Sequence, residues 1–516
     1  SIFQKNVAQV FGCGSGLPYC FLSSTQSTTA GGGAILALSP PSASSSLILV
    51  MSTCRIVDNL VLAPNLYYPI NYEDTLWIPQ NANLGGGGIL AFSITPLFST
   101  LEGQEASMEN CYLSGNRIIQ PLFVGSGMQL LQSIGGGAYF QALRLTVQSS
   151  NFSSNEATSG GALVLQEPTV ATFSQTSFSN NLAGSGGGVF ADGSTLKFIN
   201  CVAIGNVATD GDAGFLSLQG LFSYFSVSNS WFQENRALAG SGGAISASCL
   251  NGLLTNSTFV QNEASVSGGA AQLLGSLKIS IWNSTFNSNN AFGSGGALSI
   301  LGQAEVTIGG CQYVNNAAKM NGGAMQLSQE GFANISTSNF YGNSAAFSGG
   351  ALSGLDNSQS FCTDSYFQDN GALLGGVAHL GNFAELDFSN VQAERNNASL
   401  RGGFVHCRDG TVFSMVNSKA SDNSALNGGH FFLSYGCKTN INSSEVLSGF
   451  ASASCGIATI QNPTSAFSAR ASKFRNSVAS VVSTARLNCT DGGVSLSLSL
   501  SLCSFSRQTL FSGIQP

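Results

Sequence analysis

The chain returns to one short phrase at a nearly constant spacing. A diglycine followed by a small or apolar residue recurs, its second glycine falling at Gly137, Gly161, Gly188, Gly214, Gly243, Gly269, Gly296, Gly323, Gly350, Gly376, Gly403, Gly429 and Gly456. Ala213 and Cys455 stand in for two of the first glycines. A fixed period of roughly 20–50 residues is the mark of a solenoid, whose repeats bury their apolar faces only by stacking on one another. Within a repeat, the second and fourth positions after the glycine mark are apolar, as in Leu163 and Leu165, Leu298 and Ile300, or Met325 and Leu327. The third is usually polar: Ser217, Gln272, Ser299, Gln326, Ser353, His379, His406. Alternation with period two specifies strands with one buried face.

A second mark follows later in each repeat: Asn155, Asn181, Asn206, Asn235, Asn262, Asn289, Asn316, Asn343, Asn370, Asn396 and Asn423. Three residues before most of them stands an aromatic ring, at Phe152, Phe178, Phe232, Phe259, Phe286, Tyr313, Phe340 and Phe367; at Ala203, Ala393 and Ala420 the ring is lost. Short strands repeated at this spacing fold most simply as a parallel β-helix, with equivalent residues stacked about 4.8 Å apart. Phe then packs on Phe inside. Asn is expected to take the left-handed conformation at a corner, its amide bonding to the Asn above and below. A helical repeat is disfavoured by the glycine pairs, each glycine costing about 1 kcal/mol in a helix.

These phrases resemble the repeats of the chlamydial polymorphic outer membrane proteins, whose hallmarks are GGA followed by Ile, Leu or Val, and FxxN. Here they read Gly242-Gly243-Ala244-Ile245 with Phe259-Val260-Gln261-Asn262, and Gly295-Gly296-Ala297-Leu298 with Phe286-Asn287-Ser288-Asn289, and the likeness runs from residue 135 to about 460. The resemblance implies a right-handed β-helix of the pectin-lyase-like kind and a surface or adhesive role. The membrane barrel that ends those bacterial proteins is not carried over: the stretch after Gly456 offers one alternating strand, Ser495 to Leu502.

The expected fold is therefore all-β, a right-handed parallel β-helix of about 15 coils with irregular end caps, on the order of 70 Å long. Residues 1–130 read as an N-terminal cap with irregular coils and long insertions, one rich in Pro, Tyr and Trp (Pro64, Tyr67, Tyr68, Trp77). Residues 131–456 read as the regular repeats, and 457–516 as the last coils and the C-terminal cap. Edges that the caps leave open would pair with another copy.

Only 8% of residues are charged and the net charge is −7, so no basic stripe exists for nucleic acid. No apolar run is long enough to span a bilayer as a helix. A start at Ser1 fits a mature chain after loss of a signal peptide, or a fragment. Of thirteen cysteines, Cys13 with Cys20, Cys407 with Cys437, and Cys489 with Cys503 are the candidate disulfides, while the mid-chain ones also fit as small buried hydrophobes.

Polysaccharide chemistry would need acids gathered on one face. Asp210 and Asp212 flank Gly211 as a turn would. Asp356, Asp364 and Asp369 share a coil, with no Arg or Lys expected at their level in the neighbouring coils. His379 and His406 are expected to stack on the outer face, as a polar ladder rather than a paired-imidazole metal site. No catalytic, cofactor or metal residue is assigned, and an enzyme is not expected. Candidate N-glycosylation sites are Asn334, Asn397 and Asn442, then Asn151, Asn488, Asn256 and Asn283; the last two, with Asn229, alternatively form a second buried ladder. The expected function is an extracellular or cell-surface structural glycoprotein, a rod or a subunit of a self-associating head-to-tail filament. A surface adhesin for carbohydrate or protein and a polysaccharide lyase or hydrolase are the alternatives.

Overall fold

The computed structural model describes residues 104–119 and 135–479, apart from 142, 221, 276–277, 462–463 and 476. Outside this range it describes Asp58 and the strands Ile2–Gln4, Ile35–Ser39, Leu47–Ser52, Arg55–Val57, Leu60–Leu62, Ile89–Ser93, Cys489–Thr490, Gly493–Ser497 and Ser501–Leu502. The chain divides into two compact units, Ser1–Leu250 and Asn251–Pro516. Among the described residues there is no helix at all, hence none that could cross a membrane.

Each regular coil carries four short strands, one for each of four parallel sheets. In the first unit one coil runs through Leu163–Gln166, Val170–Ser174, Ser177–Ser179 and Leu182–Ser185. In the second, an equivalent coil runs through Leu298–Leu301, Glu305–Gly309, Gln312–Val314 and Ala317–Ala318. We number the sheets first to fourth in that order. The pairing is coil on coil: Leu298 opposes Met325 and Ala271, and Phe286 opposes Phe259 and Tyr313. Parallel strands with no crossover helix are the defining feature of this fold.

Earlier strands join the same sheets through long insertions. Ile2 opposes Arg55, Arg55 opposes Tyr112, and Tyr112 opposes Asn151, while Ile35–Ser39 pairs with Ile89–Ser93, which pairs with Ala138–Gln141. The Pro- and Tyr-rich insertion lies outside the described residues. At the other end the parallel pattern stops: Gly493–Ser497 runs antiparallel on Ala466–Arg470, and Ser501–Leu502 antiparallel on Ala458–Ile460. One strand was expected across 495–502; two are found, each closing a different sheet.

The diglycine corner has two requirements that only glycine meets. The first glycine lies at positive φ, for example 67° at Gly295 and 66° at Gly322, which is costly for residues with a Cβ. The second glycine faces the next coil. A Cβ on Gly296 would lie 2.1 Å from the Gly323 carbonyl oxygen, and one on Gly323 would lie 2.1 Å from that of Gly350. The same column corrects the sequence register at two triglycines: Gly136 stacks on Gly161, and Gly161 on Gly187, so Gly137 and Gly188 are not the marks.

Inside the second unit Phe259, Phe286, Tyr313, Phe340 and Phe367 form one stack, with centroids 4.6–5.0 Å apart and planes within 10°. Where the ring is lost, a neighbour restores the volume. In the first unit Phe215 takes the small position after the glycine mark and reaches both Phe178 and Phe232, at 5.3 and 5.5 Å, spanning the gap at Ala203. In the second, Phe388 and Phe404 carry the packing on from Phe367 past Ala393. Dense cores tolerate such exchanges when total volume is kept. One polar atom is stranded in the stack: the Tyr313 hydroxyl is fully buried with no hydrogen-bond partner, and burial pushes its pKa well up. Tyr313→Phe is therefore expected to raise stability by about 1 kcal/mol, read as a higher urea midpoint at unchanged slope.

Candidate functional site

The buried asparagines form a hydrogen-bonded column. In the second unit, the Asn316 backbone N–H and side-chain Nδ2 both donate to Asn343 Oδ1, at 3.0 and 2.9 Å, and Nδ2 also donates to the Phe286 carbonyl at 2.9 Å. Its own Oδ1 accepts from the backbone and the side chain of Asn289. The unit repeats from Asn262 through Asn289, Asn343, Asn370 and Asn396 to Asn423, and in the first unit from Asn116 through Asn155, Asn181 and Asn206 to Asn235. Asn116, which follows Leu113 rather than an aromatic, escaped the sequence pattern. The left-handed residue is not the Asn itself, as expected from sequence, but the one before it: Gln261, Ser288, Asn315, Asp369, Arg395. The turn residue frees its follower to point inward.

A second column went unnoticed in the sequence. At the turn from the second to the third sheet a left-handed residue (Asn256, Asn283, Thr337, Asp364) precedes a buried Ser or Cys. Backbone N–H groups donate to the hydroxyl one coil on: Ser257 to Ser284, Cys311 to Ser338, Ser338 to Ser365, Ser418 to Ser444. Cys111 and Cys201 hold the same place in the first unit, donating to Ser150 and Ser230. Burial raises the thiols of Cys201 and Cys311 to about 11, so these are structural, unreactive groups. A Ser, Thr or Cys two residues before the aromatic was the available signal.

His379 and His406 do stack, with centroids 4.9 Å apart, but they are not on an open outer face: they are only 4% and 2% exposed. The corner explains the correction. Its first glycine lies against the third-position side chain, as Gly349 does against Ser353 and Gly160 against Val164, so the column is covered around both histidines. The two Nδ1 atoms are 2.8 Å apart, one donating and the other accepting. Burial, then the cation of Arg408, lowers His379 to about 3, and burial with the neighbouring His379, Arg401 and Arg408 lowers His406. Both are neutral near pH 7. His430 ends the Asn column instead: its Nδ1 accepts from Asn423 Nδ2 at 3.2 Å and its Nε2 donates to the Leu447 carbonyl at 3.0 Å. Gly449 makes the room, because a Cβ there would lie 2.3 Å from the imidazole.

The acids are not assembled. Asp356, Asp364 and Asp369 occupy three different turns of one coil, and each accepts from the coil that follows: from Asn382, Asn390 and Arg395, at 2.8, 3.1 and 3.0 Å. Arg395 thus corrects the expectation of no base at that level. Asp210 accepts from Thr209, and Asp212 from the Ser241 backbone N–H at 2.7 Å. Among the described residues no cluster of three potential metal ligands occurs.

Asn334, Asn397 and Asn442 are exposed, while Asn151 is half-buried with its Oδ1 unpaired. Asn229, Asn256 and Asn283 are exposed at left-handed turns, so they are not a buried ladder. Cys407 and Cys437 are joined by a disulfide with Cα atoms 5.9 Å apart, and Cys455 is also disulfide-bonded. Cys13, Cys20, Cys503 and Asn488 lie outside the described residues, as does the side chain of Cys489.

Residues 101–286 match the family described as the right-handed beta helix region. No curated protein and no solved structure matches the chain. The fold is a right-handed parallel β-solenoid, and the observed coils and this match agree on it.

Proposed function

We propose that the chain is a non-enzymatic structural scaffold of an extracellular or cell-surface coat, built from repeats of the polymorphic outer membrane protein type. The observation that carries this reading is the commitment of the buried Asn column and the buried Ser and Cys column to coil-to-coil bonds in each unit. Side chains that could do chemistry, the histidines, the thiols of Cys111, Cys201 and Cys311 and the grouped acids, are instead bonded within or between coils. The Cys407–Cys437 disulfide supports an oxidising compartment, and exposed Asn334, Asn397 and Asn442 support N-glycans under a eukaryotic secretory route. Head-to-tail growth by coil stacking is disfavoured at the C-terminal edge, where antiparallel strands close the first and second sheets.

Negative-stain imaging at high concentration tests this. Discrete particles are expected. Fibres with a repeat of one molecule would assign the filament role instead, and new reducing ends or unsaturated products from a panel of plant and algal glycans would replace the structural reading with an enzymatic one.

A further inference from the structure

The turn from the first to the second sheet holds an arrangement that packing does not require. From residue 329 to 436 it is a two-residue turn with both residues at positive φ: 52° and 60° at Asp356-Asn357, 54° and 64° at Asn382-Phe383, 58° and 74° at Asp409-Gly410, 50° and 82° at Tyr435-Gly436. Such turns select Asn or Asp followed by Gly, and Asp409-Gly410 obeys. Gln329-Glu330, Phe383 and Tyr435 do not, and of these Phe383 and Tyr435 are aromatic: a bulky side chain at positive φ is an outlier. Neither residue gains burial in return, for they are 67% and 61% exposed. Departures from local rules without a packing return are expected at functional positions.

The geometry around them is that of a platform. Phe383 lies across Gly410, where a Cβ would come 2.7 Å from its Cδ1 and Cε1. The missing side chain thus gives the ring a flat seat, with most of its surface open. Tyr435 stands two coils from Phe383, on the order of 10 Å by strand spacing. Beside the rings, Asn382 Nδ2 donates to Asp356 Oδ1 at 2.8 Å and Arg408 pairs with Asp409 at 2.9 Å, all at the surface.

We propose that this turn column binds a β-1,4-linked glycan, with pyranose rings stacked on Phe383 and Tyr435 and their hydroxyls bonded by Asp356, Asn382, Arg408 and Asp409. The electron-rich ring face attracts the positively polarised C–H face of a sugar, while carboxylate, amide and guanidinium groups match its hydroxyls. The two-coil separation suits alternate sugars of an extended chain. An apolar protein or lipid partner would call for contiguous apolar surface, whereas these rings are separated by glycines and framed by charge. The proposal does not depend on the structural role argued above.

Isothermal titration of the full chain with cellohexaose and chitohexaose tests it, alongside F383G and Y435N. Both substitutions suit the turn better than the native residues, so each variant should melt no lower than the parent. Saturable binding of one oligosaccharide, weakened tenfold or more by each substitution, is the expected result. Absence of saturable binding for both sugars, or a smaller loss in either variant, overturns the platform.

Discussion

Asn316→Ala is expected to destabilise the second unit by on the order of 2–6 kcal/mol, far beyond an average surface change. The substitution removes no large apolar volume. It does strand the Asn289 side-chain and backbone donors, both buried, by deleting the oxygen they bond, and it removes the amide donor to the Phe286 carbonyl. Each orphaned group costs about 1–3 kcal/mol. Asn316→Asp is expected to be at least as damaging, because a carboxylate cannot donate to Asn343 Oδ1 and a buried charge is added. Chemical denaturation of both variants measures this. A loss below about 1 kcal/mol for the alanine variant would mean that water takes over the column, and that the ladder is a consequence of the fold rather than a cause.

The second large effect is acid sensitivity. His379, His406 and His430 are buried and neutral, with His379 lowered to about 3 and His430 to about 4. Unfolding restores their ordinary pKa, so the unfolded chain binds protons that the folded one refuses. Stability is then fully present above about pH 6.5 and falls as the pH drops from there toward 4, each histidine contributing about 1.4 kcal/mol per pH unit. With three acting together the slope approaches about 4 kcal/mol per unit between pH 6 and 4. A variant carrying His379→Ser, His406→Ser and His430→Gln, with Ser already native to this column at Ser299 and Ser353, is expected to lose most of that slope whatever its stability at pH 7. Equal slopes in the two proteins would show that the histidines are already solvated.

The repeat was legible because stacking makes each side chain meet its own counterpart. The glycine pairs, FxxN rings and buried Asn column each leave a mark at the coil period, and the parallel β-helix follows from it. Directions that depend on the corner were harder to read. Period-two alternation placed His379 and His406 outside, but it could not show the corner glycine lying against that face. The left-handed position was assigned to Asn because Asn favours it, whereas Gln261 and Arg395, poor candidates by type, hold it to let Asn262 and Asn396 turn inward. Compensations such as Phe215 for Ala203, or His430 with Gly449, break the pattern at two places at once and emerge only when both are seen to fill one space. The Phe383 and Tyr435 platform was hidden for the opposite reason. It does not repeat.

The most direct test of coil stacking is a comparison of two nitroxide pairs by continuous-wave EPR. Ser280 and Thr307 stand a full repeat apart in sequence yet directly opposed on neighbouring strands of the second sheet. Ser280 and Phe292 are much closer in sequence, but Phe292 lies beyond the end of the fourth-sheet strand Asn290–Ala291. With each pair replaced by labelled cysteines, strong dipolar broadening is expected for 280 with 307 and a sharp spectrum for 280 with 292. Broadening that follows sequence distance instead, with 280 and 307 sharp, would contradict the stacked coil.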